Sequence, residues 1–229
     1  MSSIKKRLFL VDDHALVRQG LTQLINNEPD LVVCGQAASA KDGLKEIRTL
    51  VPDLVLADLS LAASHGLDLI KDILSFLPKL PVLVVSMHDE LIYAERTLRA
   101  GASGFIMKSE PFSRVLTGIR QALNGQYVVS EVVQAQSLRQ FANKACSPST
   151  ERNDRINGLS DREMQVFECI GQGKRSREIA AELHVSVKTV ETHRAHLKKK
   201  LQISTSPALV KYAVEWRTLF MTNRSEPVG

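Results

Sequence analysis

The stretch RLFLVDDHALVRQG, residues 7–20, decides the fold. A short apolar run stops at two adjacent carboxylates, Asp12 and Asp13, and a helical pattern begins directly after them. Apolar residues in succession, without alternation, mark a parallel strand covered on both faces. Two neighbouring acids at the end of such a strand repel each other, so their presence needs a chemical reason.

The pattern recurs. The runs LVVCGQA (31–37), LVLA (54–57), PVLVVS (81–86) and GFIM (104–107) read as further strands, with amphipathic segments near Leu16 to Asn26, Ala40 to Leu50, Leu67 to Phe76, Leu91 to Ala100 and Pro111 to Asn124. Ser39 with Asp42 has the form of a capping pair, Pro111 suits a first helical turn, and Gly101 and Gly125 suit helix stops. Five β/α repeats predict an α/β doubly wound five-stranded parallel sheet, expected in the order 2-1-3-4-5.

Loops at the carboxyl ends of such strands form the binding crevice. Asp12 and Asp13 end the first strand and Asp58 ends the third, so the expected order brings three carboxylates together. A cation relieves their repulsion, and Mg²⁺, which takes oxygen ligands and keeps its waters, is the natural occupant. The fourth and fifth strands deliver Ser86 and Lys108 to the same rim. A carboxylate nucleophile, Mg²⁺, a hydroxyl and an ammonium make a phosphoryl-transfer constellation.

The rest of the chain differs in composition. Net charge is +5 over 229 residues, and residues 155–229 carry all of it, with 13 Lys and Arg against 8 Asp and Glu; residues 1–154 hold 17 of each. A basic half points to nucleic acid. The segment SEVVQAQSLRQFANKA (130–145) can form a helix, and CSPSTERNDRING (146–158) reads as a polar linker. Beyond it strand signals vanish. Ser160 with Glu163 is a capping box, Ser176 precedes a short helix, and Ser186 caps a longer one bearing Val190, His193, Leu197 and Leu201 on one face. Two helices joined by HVS have helix-turn-helix spacing, and five Lys and Arg against one Glu between Ser186 and Lys200 favour a phosphate partner. No apolar run reaches membrane-spanning length, the amino-terminal run is too short for a signal peptide, and Cys34, Cys146 and Cys169 are widely spaced, so a cytoplasmic protein with reduced thiols is expected.

Residues 5–125 resemble a response-regulator receiver domain, SVKTVETHRAHLKKKL (186–201) resembles the LuxR-type helix-turn-helix, and the whole chain resembles the NarL/FixJ family of two-component transcription factors. The resemblance implies a receiver over 5–125, a linker with a helix over 126–158, a DNA-binding domain over 159–220 and a tail over 221–229. It makes Asp58 the phosphoacceptor, Asp12 and Asp13 the acidic pair with Asp13 a direct Mg²⁺ ligand, and the Ser60 carbonyl another. It gives Ser86 and Lys108 contacts to the phosphoryl group and Phe105 the switch-aromatic position. Lys188, Glu191, Thr192, Arg194 and Ala195 would face the major groove, with Thr189, His193 and Lys198 toward the DNA backbone. The implied partners are a sensor histidine kinase, double-stranded DNA, a second copy in a homodimer when phosphorylated or DNA-bound, and RNA polymerase as a further candidate; no membrane is implied, and the apolar stripe of Ala208, Leu209, Tyr212 and Trp216 within Pro207 to Leu219 suits pairing with that copy or, equally, packing within the molecule.

Three positions depart from the family pattern: Leu61-Ala62 where Met-Pro is usual, Ser109 after Lys108 in place of proline, and Met87 after Ser86. Met87 is expected to shield an acyl phosphate from water. Two rival readings are an aspartyl phosphatase, which needs an acid where Ser60 stands, and a DNA binder that works without phosphorylation.

Overall fold

The computed structural model describes residues 5–61, 64–135, 155–156 and 158–222. The chain divides into two compact units, Met1–Ala142 and Asn143–Gly229.

In the first unit β1 (Lys6–Val11), β2 (Leu31–Ala37), β3 (Leu54–Ala57), β4 (Val82–Ser86) and β5 (Gly104–Met107) form one parallel sheet in the order β2-β1-β3-β4-β5. Helices α1 (Ala15–Asn26), α2 (Ala40–Leu50), α3 (Gly66–Phe76), α4 (Glu90–Arg99) and α5 (Phe112–Leu123) alternate with the strands. The non-alternating strands are buried throughout in β3 and β4, as a sheet covered on both faces requires. Leu8, Leu10, Leu56, Leu83 and Ile106 pack with Ile25, Val115 and Ile119 into one core. A minimal antiparallel hairpin, Ser60–Leu61 with Ser64–His65, lies between β3 and α3; Ala62, one of the departures from the family pattern, falls outside the described residues.

Local chemistry sets the helix ends. Ser39 Oγ accepts the Asp42 N–H at 3.2 Å, and Gly101 and Gly125 take the positive φ expected of helix stops. At the end of α2, Val51 adopts a left-handed backbone with φ 44°, because Pro52 disfavours continuing the right-handed helix through the residue before it.

Residues 126–129, read from sequence as the start of the linker, are held to the sheet. Val128 pairs in parallel with Gly104; the Phe105 N–H donates to Val128 O at 2.8 Å and the Val128 N–H to Ser103 O at 2.9 Å. The chain thereby covers the open edge of β5. Residues 131–135 are helical, and the remainder of the helix expected to Ala145, with Cys146, falls outside the described residues.

The second unit comprises α6 (Asp161–Gly171), α7 (Ser176–Glu182), α8 (Val187–Leu201) and α9 (Ser206–Thr222). Ser160 and Glu163 form the expected capping box, and Ser186 Oγ accepts the Thr189 N–H at 3.0 Å. The cap of α7 is Arg175 rather than Ser176: Glu178 reaches back to the Arg175 N–H at 2.6 Å, while the Ser176 hydroxyl is drawn to Glu191 on α8. Phe167 packs against Tyr212 and Trp216, with ring centroids 5.9 and 5.3 Å away. Leu209, Ala213 and Trp216 are buried, so much of the apolar stripe of α9 is used within the unit. Residues 223–229 of the expected tail fall outside the described residues.

A Cβ on Gly104 would stand 2.2 Å from Val128 O, whereas one on Gly20, within α1, meets nothing within 4 Å. Gly104→Ala is expected to destabilise the first unit by about 2 kcal/mol, and Gly20→Ala to stabilise it by about 0.5–1 kcal/mol. Urea unfolding followed by circular dichroism checks both signs.

Candidate functional site

The ends of four strands build the site in the first unit. Asp12 follows β1, Asp58 follows β3, Ser86 closes β4, and Lys108 follows β5. Backbone bonds hold these ends in register: Asp58 N–H to Val11 O at 2.8 Å, Asp12 N–H to Ala37 O at 3.1 Å and Lys108 N–H to Ser86 O at 2.8 Å. The Lys108 ammonium lies 2.6 Å from Asp12 Oδ2 and 2.8 Å from Asp58 Oδ2, and all three side chains are buried. Burial alone pushes the Lys108 pKa down, but the Asp58 and Asp12 carboxylates outweigh it and leave the ammonium above its ordinary value. Ser86 is fully buried and its hydroxyl accepts the His88 N–H at 3.4 Å; Phe105 is turned into the core.

Ligand atoms of Asp12, Asp13, His14 and Asp58 all lie within 4.8 Å of one another. Asp58 Oδ1 and Asp13 Oδ1 are enclosed without hydrogen-bond partners; the His14 Nδ1 stands 2.7 Å from Asp13 Oδ1, but outside hydrogen-bond geometry. Buried carboxylate oxygens without donors, beside a lysine that balances only part of their charge, fit a divalent cation with a preference for oxygen.

Two features of the site escape the sequence reading. Ser60 Oγ is 2.9 Å from His88 Nε2, and the His88 ring lies tilted against Tyr93 with centroids 4.5 Å apart, so the residues two places after Asp58 and after Ser86 are joined across the rim. His14 is the other. The equal offsets from Asp58 and Ser86 are the only sequence signal for the first pair. Met87 departs from its expected role: its side chain is 69% exposed and directed to solvent, so it shields nothing in this conformation.

In the second unit α8 presents Lys188, Glu191, Thr192 and Ala195 exposed, with Thr189, His193, Arg194 and Lys198 half-buried. Lys200, with its side chain 42% exposed, is paired with Glu163 at 2.6 Å, which offsets its positive charge. Burial raises the Glu163 pKa, but Lys200 and the Ser160 N–H outweigh it and hold the carboxyl below its usual value. Lys174, Arg175 and Ser176, before and at the start of α7, join Arg194 in lining a cavity of about 290 Å³, so the basic surface includes cations outside α8. The His193 Nδ1 is enclosed without a hydrogen-bond partner. Burial foremost, with the Arg162 and His196 charges, pushes its pKa down against the opposing effect of Glu163. Among the described residues the cluster able to hold a metal is the acidic one, and neither His193 nor His196 belongs to it. No helix of the described residues is long and apolar enough to cross a membrane.

A phosphoryl-type acidic site on a doubly wound sheet, followed by a basic helix-turn-helix unit, defines a two-component response regulator with a DNA-binding output. Residues 8–120 match the model of the response regulator receiver domain, and residues 157–213 match that of the bacterial regulatory proteins of the luxR family. The oxygen regulatory protein NreC of Staphylococcus carnosus (strain TM300) is 31% identical over 214 residues, 93% of this chain and 99% of that protein. A two-component response regulator of the LuxR family from Aurantimonas sp. SI85-9A1 is 29% identical with a TM-score of 0.57, over 60% of this chain and all but 1% of its own, a 99% coverage. RcsB of Salmonella enterica serovar Typhimurium, solved on promoter rprA with phosphomimetic BeF3-, shares the fold at 20% identity and TM-score 0.59, over 92% of this chain and 98% of that one. The chain belongs to the LuxR family of response regulators and is a transcription regulator.

Removing the central cation of the acidic site and removing one of its acids have opposite expected effects. In the presence of chelator, Lys108→Met leaves Asp12 and Asp58 buried without their cation and is expected to cost about 3 kcal/mol, whereas Asp13→Asn relieves repulsion and raises the thermal midpoint. Differential scanning calorimetry of both variants reads the signs.

His193 has a folded-state pKa below the ordinary histidine value of about 6.5, so the unfolded chain takes up the proton first. The stability it contributes is present above about pH 6.5 and lost as pH falls below it. The fluorescence of Trp216, the single tryptophan, reports this unit within the full chain. Its melting midpoint is expected to drop between about pH 7.5 and 5.5, with a shallower slope in His193→Gln.

Proposed function

We propose that Asp58 accepts a phosphoryl group from a sensor histidine kinase, and that this modification controls binding of the second unit to double-stranded DNA. The observation that carries the reading is the convergence on Asp58: one carboxylate oxygen is paired with Lys108 and the other is buried with no donor. An oxygen of the Asp58 carboxylate attacks phosphorus as the bond to the kinase's imidazole breaks, leaving an acyl phosphate and the free imidazole. Lys108 and the Ser86 hydroxyl then bond phosphoryl oxygens. Asp12, Asp13, Asp58 and the Ser60 carbonyl are the ligands assigned to Mg²⁺, which when bound offsets the charge of the acids and of the entering phosphoryl group. Phe105 and Ser86 respond to the new bonds, and the response biases a pre-existing equilibrium between two states of the regulator.

The division of labour is a receiver that carries residues 126–129 on the edge of its sheet, a linker beyond them and a DNA-binding domain over 159–220. Lys188, Glu191, Thr192, Arg194 and Ala195 meet the groove, and Thr189, His193 and Lys198 the backbone; the enclosed Nδ1 restricts His193 to its remaining ring edge. The phosphorylated form pairs as a homodimer on DNA, acts in the cytoplasm and is placed to meet RNA polymerase. RcsB captured on promoter DNA with a phosphomimetic is consistent with such a cycle in a protein of the same fold.

The test compares the full chain, Asp58→Asn and a fragment of residues 155–229. A small-molecule phosphodonor with Mg²⁺ is expected to label the full chain but not Asp58→Asn, and to tighten DNA binding of the full chain alone. The fragment is expected to bind without phosphodonor, with Lys198→Gln lowering the salt slope by about 0.9 and Thr192→Ala relaxing sequence preference. Undiminished label on Asp58→Asn moves the acceptor elsewhere.

A further inference from the structure

We propose that Ser176, on α7, sets part of the sequence preference of this regulator: its hydroxyl holds the Glu191 carboxylate in place to accept an amino hydrogen of cytosine N4, so the preferred duplex carries a C·G pair opposite Glu191. The proposal rests on the reading of α8 as the helix that enters the major groove. Lys188, Glu191, Thr192, Ala195 and Lys199 are exposed, and their spacing of i, i+3, i+4, i+7 and i+11 places them on one stripe of α8. Val190, Leu197 and Leu201 are buried on the other side, so this stripe is the face left for a groove.

Glu191 is the one acid in α8. On a stripe that faces phosphates, an acid costs affinity on every sequence, and the cost is offset only where the duplex offers it a donor. A carboxylate accepts and does not donate. In the major groove cytosine presents an amino donor, whereas adenine sets an acceptor beside its amino group and guanine shows two acceptors, so the carboxylate fits cytosine. A glutamate that docks from solvent loses rotamer freedom, and ordering it beforehand removes that cost. Ser176 supplies the order: from the first residue of α7, its Oγ donates to Glu191 Oε1 and leaves Oε2 for a base. Thr192 does not compete for the carboxylate, because its hydroxyl donates to Lys188 O at 3.0 Å. The opposing account has the same bond draw Glu191 off the groove, and it predicts the reverse sign: removing the Ser176 hydroxyl sharpens discrimination at the C·G pair.

The full chain, treated with a small-molecule phosphodonor and Mg²⁺, selects duplexes from a random pool. Fluorescence anisotropy on the selected site and its single base-pair variants then compares it with Ser176→Ala, Ser176→Thr, Glu191→Ala and Glu191→Gln. The unaltered chain is expected to prefer C·G over T·A about tenfold at one pair of the site. Glu191→Gln is expected to move that preference to A·T, which suits an amide that both donates and accepts. Ser176→Ala is expected to reduce it to about threefold with the other pairs unchanged, and Ser176→Thr, which keeps the hydroxyl, to restore it. In a Glu191→Ala background Ser176→Ala is expected to change nothing more. Undiminished or sharper discrimination in Ser176→Ala overturns the role of Ser176. If no pair responds to the Glu191 variants while Lys188→Ala and Thr192→Ala still shift other pairs, the proposal falls and the groove reading stands. If none of these variants shifts any pair, the groove reading fails and the proposal fails with it.

Discussion

The buried ammonium of Lys108, held between Asp12 and Asp58, is the interaction on which the rest of the receiver depends. It ties the ends of β1, β3 and β5, although β5 lies at the sheet edge with β4 between it and β3. Lys108 therefore reaches past the end of β4, where the buried Ser86 hydroxyl stands. One cation against two buried acids, with Asp13 beside them, leaves the pocket with excess negative charge. Such a pocket is stable only while its charges stay paired, and it attracts further positive charge from solution. Under the proposed phosphorylation, new bonds at Asp58 would change what Lys108 holds and reach β5 through it.

The far edge of β5 carries the other half of the argument. Phe105 follows Gly104 on that strand, and its N–H donates to Val128, a residue buried in the same core as Ile106 and Val115. One short strand thus has the site's lysine just past its end, the buried aromatic in its middle, and the chain leaving α5 along its edge. Gly104 is required because the Val128 carbonyl occupies the space a side chain would need. A change in the ion pair need not travel far: a small shift of β5 meets the departing chain directly, within one set of backbone hydrogen bonds.

Most of this architecture was legible in the sequence because it depends on local rules. The apolar runs mark β1 to β5 to within a residue, Ser39, Ser160 and Ser186 cap where their spacing says they should, and the strand-end positions of Asp12, Asp58, Ser86 and Lys108 follow once the strand order is set. The features that escaped reading depend on loop geometry. The Ser60 and His88 pair joins two loops 28 residues apart, and nothing in either loop specifies the other. Ser176, read as preceding α7, is its first residue, with Arg175 at the cap and the serine hydroxyl bonded to Glu191 on α8. Met87 is exposed because the chain turns outward after Ser86, while His88, one residue on, folds back to Ser60.

The positive charge of the second unit illustrates the same limit and has a physical consequence. The five Lys and Arg of α8 together favour a phosphate partner, yet Lys200 is paired with Glu163, a buried residue that also closes the capping box of α6. Glu163 is thus bonded to the Ser160 backbone on its own helix and to the last turn of α8. Glu163 is buried while the Lys200 side chain is 42% exposed, so salt screens this contact less than it screens a pair of exposed charges. The surface that meets phosphates weakens steeply as ionic strength rises, while the lock that orients α8 on α6 persists. Orientation of the recognition helix and its affinity for DNA therefore respond differently to the same ions, and Lys200 contributes to the first at the expense of the second.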